Sequence, residues 1–355
     1  MTETSIFSNS LAHGVRAILF VCCLILVAQP ADTQEIPARQ LRMFKPLPAV
    51  MESKANPIST AKVDLGRMLY YDPRLSKSQT ISCNTCHLLD RYGVDNKPTS
   101  DGHRGLKGDR NSPTVYNAAG HFRQFWDGRA ADIEEQAKGP VTNPVEMAMP
   151  GEEQILAVLH SIPEYVERFR SAFPGSDPAV TFDNFARAVG AFERKLVTPS
   201  RWDEFLAGRE DALTASEKQG FLKFAEAGCP ACHMGAYFGG TMYQKLGLVK
   251  PWPDQSDLGR YRETQQEKDK MFFKVPSLRN IAKTAPYYHD GRVGTLEEAV
   301  ALMGEFEMGR SLSSDDIRLI VVFLNALTGE IPAEYVRPPA LPASTASTPK
   351  PDMSE

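Results

Sequence analysis

The sequence predicts a mainly α-helical fold laid out as two similar units in tandem, and three observations carry that prediction. Apolar residues recur three or four apart over several stretches, the period that gathers them on one helix face. No stretch alternates strictly between apolar and polar residues, so no half-buried sheet is written into the chain. One arrangement (a helix, a Cys-x-x-Cys-His, a long loop and a closing helix) occurs twice.

Taken in order, residues 1–31 stand apart. Arg16 precedes the apolar run Ala17–Ala28, and small residues follow near the turn at Gln29-Pro-Ala-Asp32. A basic start, a short apolar core and small residues at a plausible cut are the parts of a secretory signal. A spanning helix needs roughly 20 apolar residues, so a retained anchor is the weaker reading. The mature protein is therefore expected outside the cytoplasm, in the periplasm.

From Ser59 to Tyr70 the spacing predicts a helix leading to Cys83-Asn-Thr-Cys86-His87. Glu152–Phe173 places Ile155, Leu156, Leu159 and Ile162 on one stripe, with a break at Pro163. Phe182–Leu196 puts Phe185, Ala188, Val189 and Phe192 at helical spacing and closes the first unit. Thr214-Ala-Ser-Glu217 is a capping box, opening a helix whose Phe221, Leu222 and Phe224 lead to Cys229-Pro-Ala-Cys232-His233. Thr295-Leu-Glu-Glu298 is a second box, starting a helix toward Met303. Ser314–Leu327 aligns Ile317, Ile320, Val321, Leu324 and Leu327, with Gly329 as the expected C-cap. The domains then read as 41–198 and 199–330, with a boundary near Pro199. The Pro/Ala/Ser-rich tail 331–355 reads as disordered.

Bulk composition sets outer limits. The 355 residues are 42% hydrophobic and 24% charged with a formal net charge of −4. That suits a globular protein with room for two cores. No basic excess points to nucleic acid.

Cysteine usage is more specific. Cys22 and Cys23 lie in the signal segment, and the other four make up the two Cys-x-x-Cys-His motifs. This is the attachment signature of c-type haem. Two thiols at that spacing bond to the two vinyl groups of one porphyrin, and the histidine that follows offers its imidazole to the iron. A disulfide does not need the histidine, and a zinc site prefers cysteine pairs much closer in sequence. The prediction is two cytochrome c-like domains, each with one covalently bound haem. Taken by composition alone, His103, in a loop of Gly, Asp, Asn, Pro and Ser, is a solvated surface residue.

Four segments carry a resemblance across both halves: CNTCH, QFWDGRAADIEEQAKGPVTNPVEM (Gln124–Met147), CPACH and VPSLRNIAKTAPYYHDGRVGTLEEAVALM (Val275–Met303). Residues from about Leu41 to Gly329 resemble the bacterial dihaem cytochrome c peroxidases, the group that also contains the methylamine-utilisation enzyme MauG. The resemblance implies that Met303 is the second axial ligand beside His233, with Met308 as its rival. A thioether ligand raises the potential and makes that haem the electron-accepting one. It implies that His103 is the removable second ligand of the His87 haem. It makes Glu146 the acid–base group for peroxide cleavage, Gln136 its hydrogen-bonding partner and Trp126 the residue between the haems. It places one calcium ion at Asn111, Thr284 and Pro286, held by oxygen ligands. Hydrogen peroxide, a small monohaem cytochrome c or cupredoxin as donor, and a homodimer are the implied partners.

Two rivals follow. A MauG-like oxidase acting on a protein has a tyrosine where this chain has Met303, and a surface tryptophan where it has Ala227. A dihaem electron carrier would need neither Glu146 nor an iron that can open.

Overall fold

The structure, a computed structural model, describes residues 1–5 and 35–354. The signal segment 1–31 therefore lies almost wholly outside the described residues. Among those residues no helix is long and apolar enough to cross a membrane.

The chain is mainly helical, in the order α1 Ala38–Leu41, α2 Thr60–Tyr71, α3 Cys83–Cys86, α4 Ile133–Thr142, α5 Glu152–His160 and α6 Pro163–Ala172. There follow α7 Phe182–Glu193, α8 Arg201–Leu206, α9 Ala215–Glu226, α10 Tyr261–Thr264, α11 Leu296–Leu302 and α12 Ser314–Asn325. Local chemistry explains the starts. Ser59 and Thr181 accept hydrogen bonds from backbone N–H groups at the openings of α2 and α7. Thr214 and Glu217 form the expected reciprocal box on α9. The stripe through Pro163 breaks at Ser161–Ile162, where proline starts α6. A short antiparallel pair, β1 Tyr243–Lys245 with β2 Phe272–Lys274, is the addition that periodicity did not reveal. Three residues per strand are too few to show alternation.

The two halves use the same device. The helix before each Cys-x-x-Cys-His crosses the closing helix of its half at a glycine. A Cβ on Gly66 in α2 would overlap the Ala188 carbonyl oxygen of α7. One on Gly220 in α9 would overlap the Leu319 carbonyl oxygen of α12. Each close crossing builds a core. One is centred on Leu65, Leu69, Tyr70, Phe185 and Phe192, the other on Trp202, Phe221, Phe224 and Phe323. Core residues of the first stop at Leu196 and those of the second resume at Trp202.

The chain ends cross between these cores, which the sequence reading did not foresee. Ile36 and Phe44, near the start of the domain predicted as 41–198, pack into the second core, with Phe44 on Trp202, Phe221 and Phe238. The tail predicted as disordered lies on the first half instead. Tyr335 stacks on Phe192 and donates to its carbonyl, Val336 is buried, and Arg74 donates to the Pro342 carbonyl. Its prolines need no backbone donors, and its two apolar side chains find a groove. Gly329 also differs: Ala326 is the C-cap of α12, and Gly329 is glycine because a Cβ would meet the Thr198 carbonyl.

A buried polar knot joins the halves. Arg279, less than 2% exposed, grips Asp203 with two hydrogen bonds of 2.6 and 2.9 Å. Asp203 also accepts from the N–H groups of Leu47 and Ser200, and Arg279 donates to the Ala236 carbonyl just past His233. Beside it, fully buried Asn117, Thr198 and Asn280 hydrogen-bond in sequence, with the Thr198 hydroxyl between the two amides. Removing one member of a buried pair leaves an unmatched charge, at a cost of about 3–5 kcal/mol. Arg279→Leu is expected to lose stability on that scale in denaturant titration, and a loss under 1 kcal/mol would contradict the role given to the pair.

Glu193 supplies a pH test. It is 3% exposed, one carboxylate oxygen has no partner, and burial pushes its pKa up to about 8. The folded protein then holds a proton that the unfolded chain has released above the ordinary glutamate range, so this group costs stability increasingly as pH rises toward 8. Glu193→Gln removes that cost. Its melting temperature should exceed the wild type's by more at pH 8 than at pH 5.

Candidate active site

The Cys229–His233 motif opens on a large cavity. Cys229 and Cys232 are free thiols, and with His233 they line an apolar space of about 470 Å³ together with Met303, Met308, Phe224, Leu324 and Trp126. His233 donates through Nδ1 to the Phe238 carbonyl at 3.0 Å, which leaves Nε2 as the free lone pair. Burial lowers its pKa and keeps the ring neutral, the state that binds a metal. The thiols are pushed up by burial, Cys229 to about 12. Two protonated thiols, one oriented neutral imidazole and a thioether on an apolar cavity fit a covalently held haem. Met303 begins a π-helical turn, Met303–Glu307, of the kind often found at functional sites. Met308 lies on the same cavity, packed over Gly228. Both methionines therefore reach the space, as the sequence left open.

The Cys83–His87 motif is built the same way. Ser82 and Thr85 cap the turn α3 reciprocally, and the Tyr70 hydroxyl donates to the His87 carbonyl at 2.8 Å. Burial lowers the His87 pKa and raises those of Cys83 and Cys86, the latter to about 11. The donor set again fits a covalently attached haem.

His103 is not the solvated loop residue its composition suggests. It is 3% exposed, in a short turn His103–Gly105 closed by hydrogen bonds from Gly102 to Leu106 and from Leu106 back to His103. Its backbone N–H donates to the Glu146 carbonyl at 2.7 Å. Gly102 permits this approach, since a Cβ there would overlap the Val145 carbonyl. The His103 side chain reaches the tail, with Nε2 3.2 Å from the Ser354 carbonyl oxygen.

Glu146 is half-buried, and burial raises its pKa against the opposing pull of Arg129 and a hydrogen bond from Asn143. That bond, Asn143 Nδ2 to Glu146 Oε1 at 2.7 Å, makes Asn143 a hydrogen-bonding partner of Glu146, the role expected for Gln136. Gln136 sits inside α4, whereas Asn143 caps the end of that helix three residues before Glu146. An Asn-Pro turn placing an amide three residues from an acid was the available signal.

Trp126 donates from Nε1 to the Asn111 carbonyl at 2.9 Å, and its own carbonyl accepts from the Lys274 N–H at 2.7 Å. It stands edge-on to His289, with ring centroids 6.5 Å apart. Asn111, Thr284 and Pro286, the three candidate calcium positions, are among the residues that line the same cavity as Trp126. Asn111 is pinned by its Nδ2 to the Lys97 carbonyl and by its N–H to the His289 carbonyl.

Comparison with known proteins gives a consistent result. Residues 60–211 match the model of the family described as di-haem cytochrome c peroxidase. The chain is 49% identical over 317 residues to cytochrome c551 peroxidase of Pseudomonas aeruginosa, covering 87% of this chain and 90% of that one. It is 35% identical to the methylamine utilization protein MauG of Methylorubrum extorquens, over 87% and 89% of the two chains. The fold superposes on a crystal structure of a MauG-like protein associated with microbial copper homeostasis, with TM-score 0.71 at 29% identity, covering 82% and 97%.

The Gly102 contact is open to test. Gly102→Ala should push the His103 and Glu146 loops apart and destabilise by about 1–3 kcal/mol. Amide exchange at His103 should speed up. Gly108→Ala, which meets nothing within 4 Å, should change neither. Equal behaviour of the two variants would remove the coupling.

Proposed function

Because the chain belongs to the dihaem cytochrome c peroxidase family, we propose that it is a periplasmic enzyme reducing hydrogen peroxide to two waters. Each turnover takes two protons and two electrons, delivered singly by a small cytochrome c or cupredoxin. The observation that carries this reading furthest is the 2.7 Å hydrogen bond from the His103 N–H to the Glu146 carbonyl. It builds the removable ligand and the proton-handling carboxylate into one unit.

When bound, two haems supply the electron storage and an iron that accepts peroxide. His87, directly after its two thiols, would hold the first haem, and His233 with Met303 the second. His103 would cap the first and leave on activation. Glu146 would take the proton from the near oxygen of peroxide and return it to the departing one, for which a carboxyl raised by burial is suited. Asn143 orients that carboxyl and favours its charged form. Trp126, hydrogen-bonded at both ends, would be held rigidly in the path between the halves. Its bond to Asn111 would tie it to a calcium ion at Asn111, Thr284 and Pro286. A homodimer completes the proposal.

Met303 and Ala227 weigh against an oxidase of the MauG type. Ala227 is 5% exposed on the cavity wall, so the position is buried and not a surface one. A plain electron carrier gains nothing from a half-buried carboxyl coupled to a ligand loop.

Glu146→Ala should lose most peroxide-dependent oxidation of reduced cytochrome c, by about 10²-fold or more, with haem content unchanged. Near-wild-type turnover would sink the role of Glu146. In the half-reduced protein, one high-spin haem that binds cyanide is expected. Two inert six-coordinate haems would favour the carrier.

A further inference from the structure

Lys274 is a buried amine without a counter-charge among the described residues. The residue is 8% exposed, lies on β2 and lines the cavity of the second Cys-x-x-Cys-His motif. The polar group bonded to its Nζ is the His121 Nδ1 at 3.2 Å. That ring is kept neutral, since burial and the adjacent lysine both push its pKa well down. Its other nitrogen, Nε2, is sealed from solvent and has no partner. The one carboxylate on the cavity wall, Glu307, is already taken by the N–H groups of Gly247 and Leu248.

Desolvating an ammonium costs several kcal/mol unless an anion is brought to it. Burial alone draws the Lys274 amine down to about 8. The backbone nevertheless fixes it in place. Lys274 pairs with Tyr243 of β1, and its N–H is held by the Trp126 carbonyl. A site that holds a cation rigidly in an apolar cavity and supplies no anion is built for a ligand that carries one.

Haem c carries two propionate carboxylates, and this inference rests on the dihaem reading. We propose that Lys274, backed by His121, binds a propionate of the haem attached at Cys229 and Cys232, and that this pairing holds the reduction potential of that haem up. Neutralising a carboxylate near the iron favours the ferrous state, because the added electron then meets less negative charge. Lys274 acts as a positioning residue. Its backbone N–H is bonded to the Trp126 carbonyl, so the residue that carries the charge and the residue between the halves are tied along the backbone.

The test is an optical redox titration of the full-length protein with both haems attached, resolving the two midpoints. Lys274→Gln should lower the ratio of ferrous to ferric second haem at fixed potential by about tenfold, the scale of one close, partly screened charge. The first haem should be unaffected. Lys274→Arg should restore the wild-type midpoint, and Lys274→Met serves as the neutral variant if the glutamine protein does not accumulate. An unchanged second midpoint, an equal shift of both, or an arginine variant that behaves like glutamine would overturn the inference. Haem counting separates the failures. Fewer than two haems in the wild type would sink the dihaem reading, whereas two haems with unmoved midpoints would sink only the role of Lys274.

Discussion

The buried Arg279–Asp203 pair is the interaction on which the rest of the geometry depends. Asp203 gathers the N–H groups of Leu47 and Ser200, and Arg279 reaches the Ala236 carbonyl three residues beyond His233. One bidentate contact thus fixes the N-terminal segment at Leu47, the linker between halves and the loop after the second Cys-x-x-Cys-His. The next residue, Asn280, continues the knot through Thr198 to Asn117, nine residues before Trp126. A buried pair of this kind adds little net stability over an apolar replacement. Its effect is on geometry, because each partner has few acceptable positions once water is excluded.

That rigidity suits the proposed passage of electrons between the two halves. Trp126 is held by its indole N–H on the Asn111 carbonyl and by its backbone carbonyl on the Lys274 N–H. The crossed ends act in the same sense. Phe44 packs into the second core while Tyr335 and Val336 pack on the first, so neither half can move away without uncovering apolar surface. The turn around His103 is joined to Glu146 by one backbone bond and to the tail through Ser354.

Much of this was written locally. The capping residues Ser59, Thr181 and Thr214, the break before Pro163 and the apolar faces of α7 and α12 follow from residues within four positions of one another. Such contacts need no knowledge of the rest of the chain. The haem motifs are equally local, since attachment chemistry demands two thiols and an imidazole within five residues. These carry the helical class and the two proposed haem positions.

Other features depend on partners far away in sequence, and only the tertiary structure decided them. The tail reads as disordered because proline, alanine and serine form no element of their own; Phe192 and Arg74, well over a hundred residues earlier, give it somewhere to lie. Gly329 looks like a helix cap until the Thr198 carbonyl is found against it. His103 looks solvated until Gly102 lets the Glu146 loop close over it. Lys274 looks like any surface lysine until β1, His121 and the cavity surround it. In each case the physical cause is burial by a distant segment. Sequence by itself set the elements and the chemical motifs, because those are governed by neighbours along the chain. Folding alone set which side chains lost their water, and with it their charge and their partners.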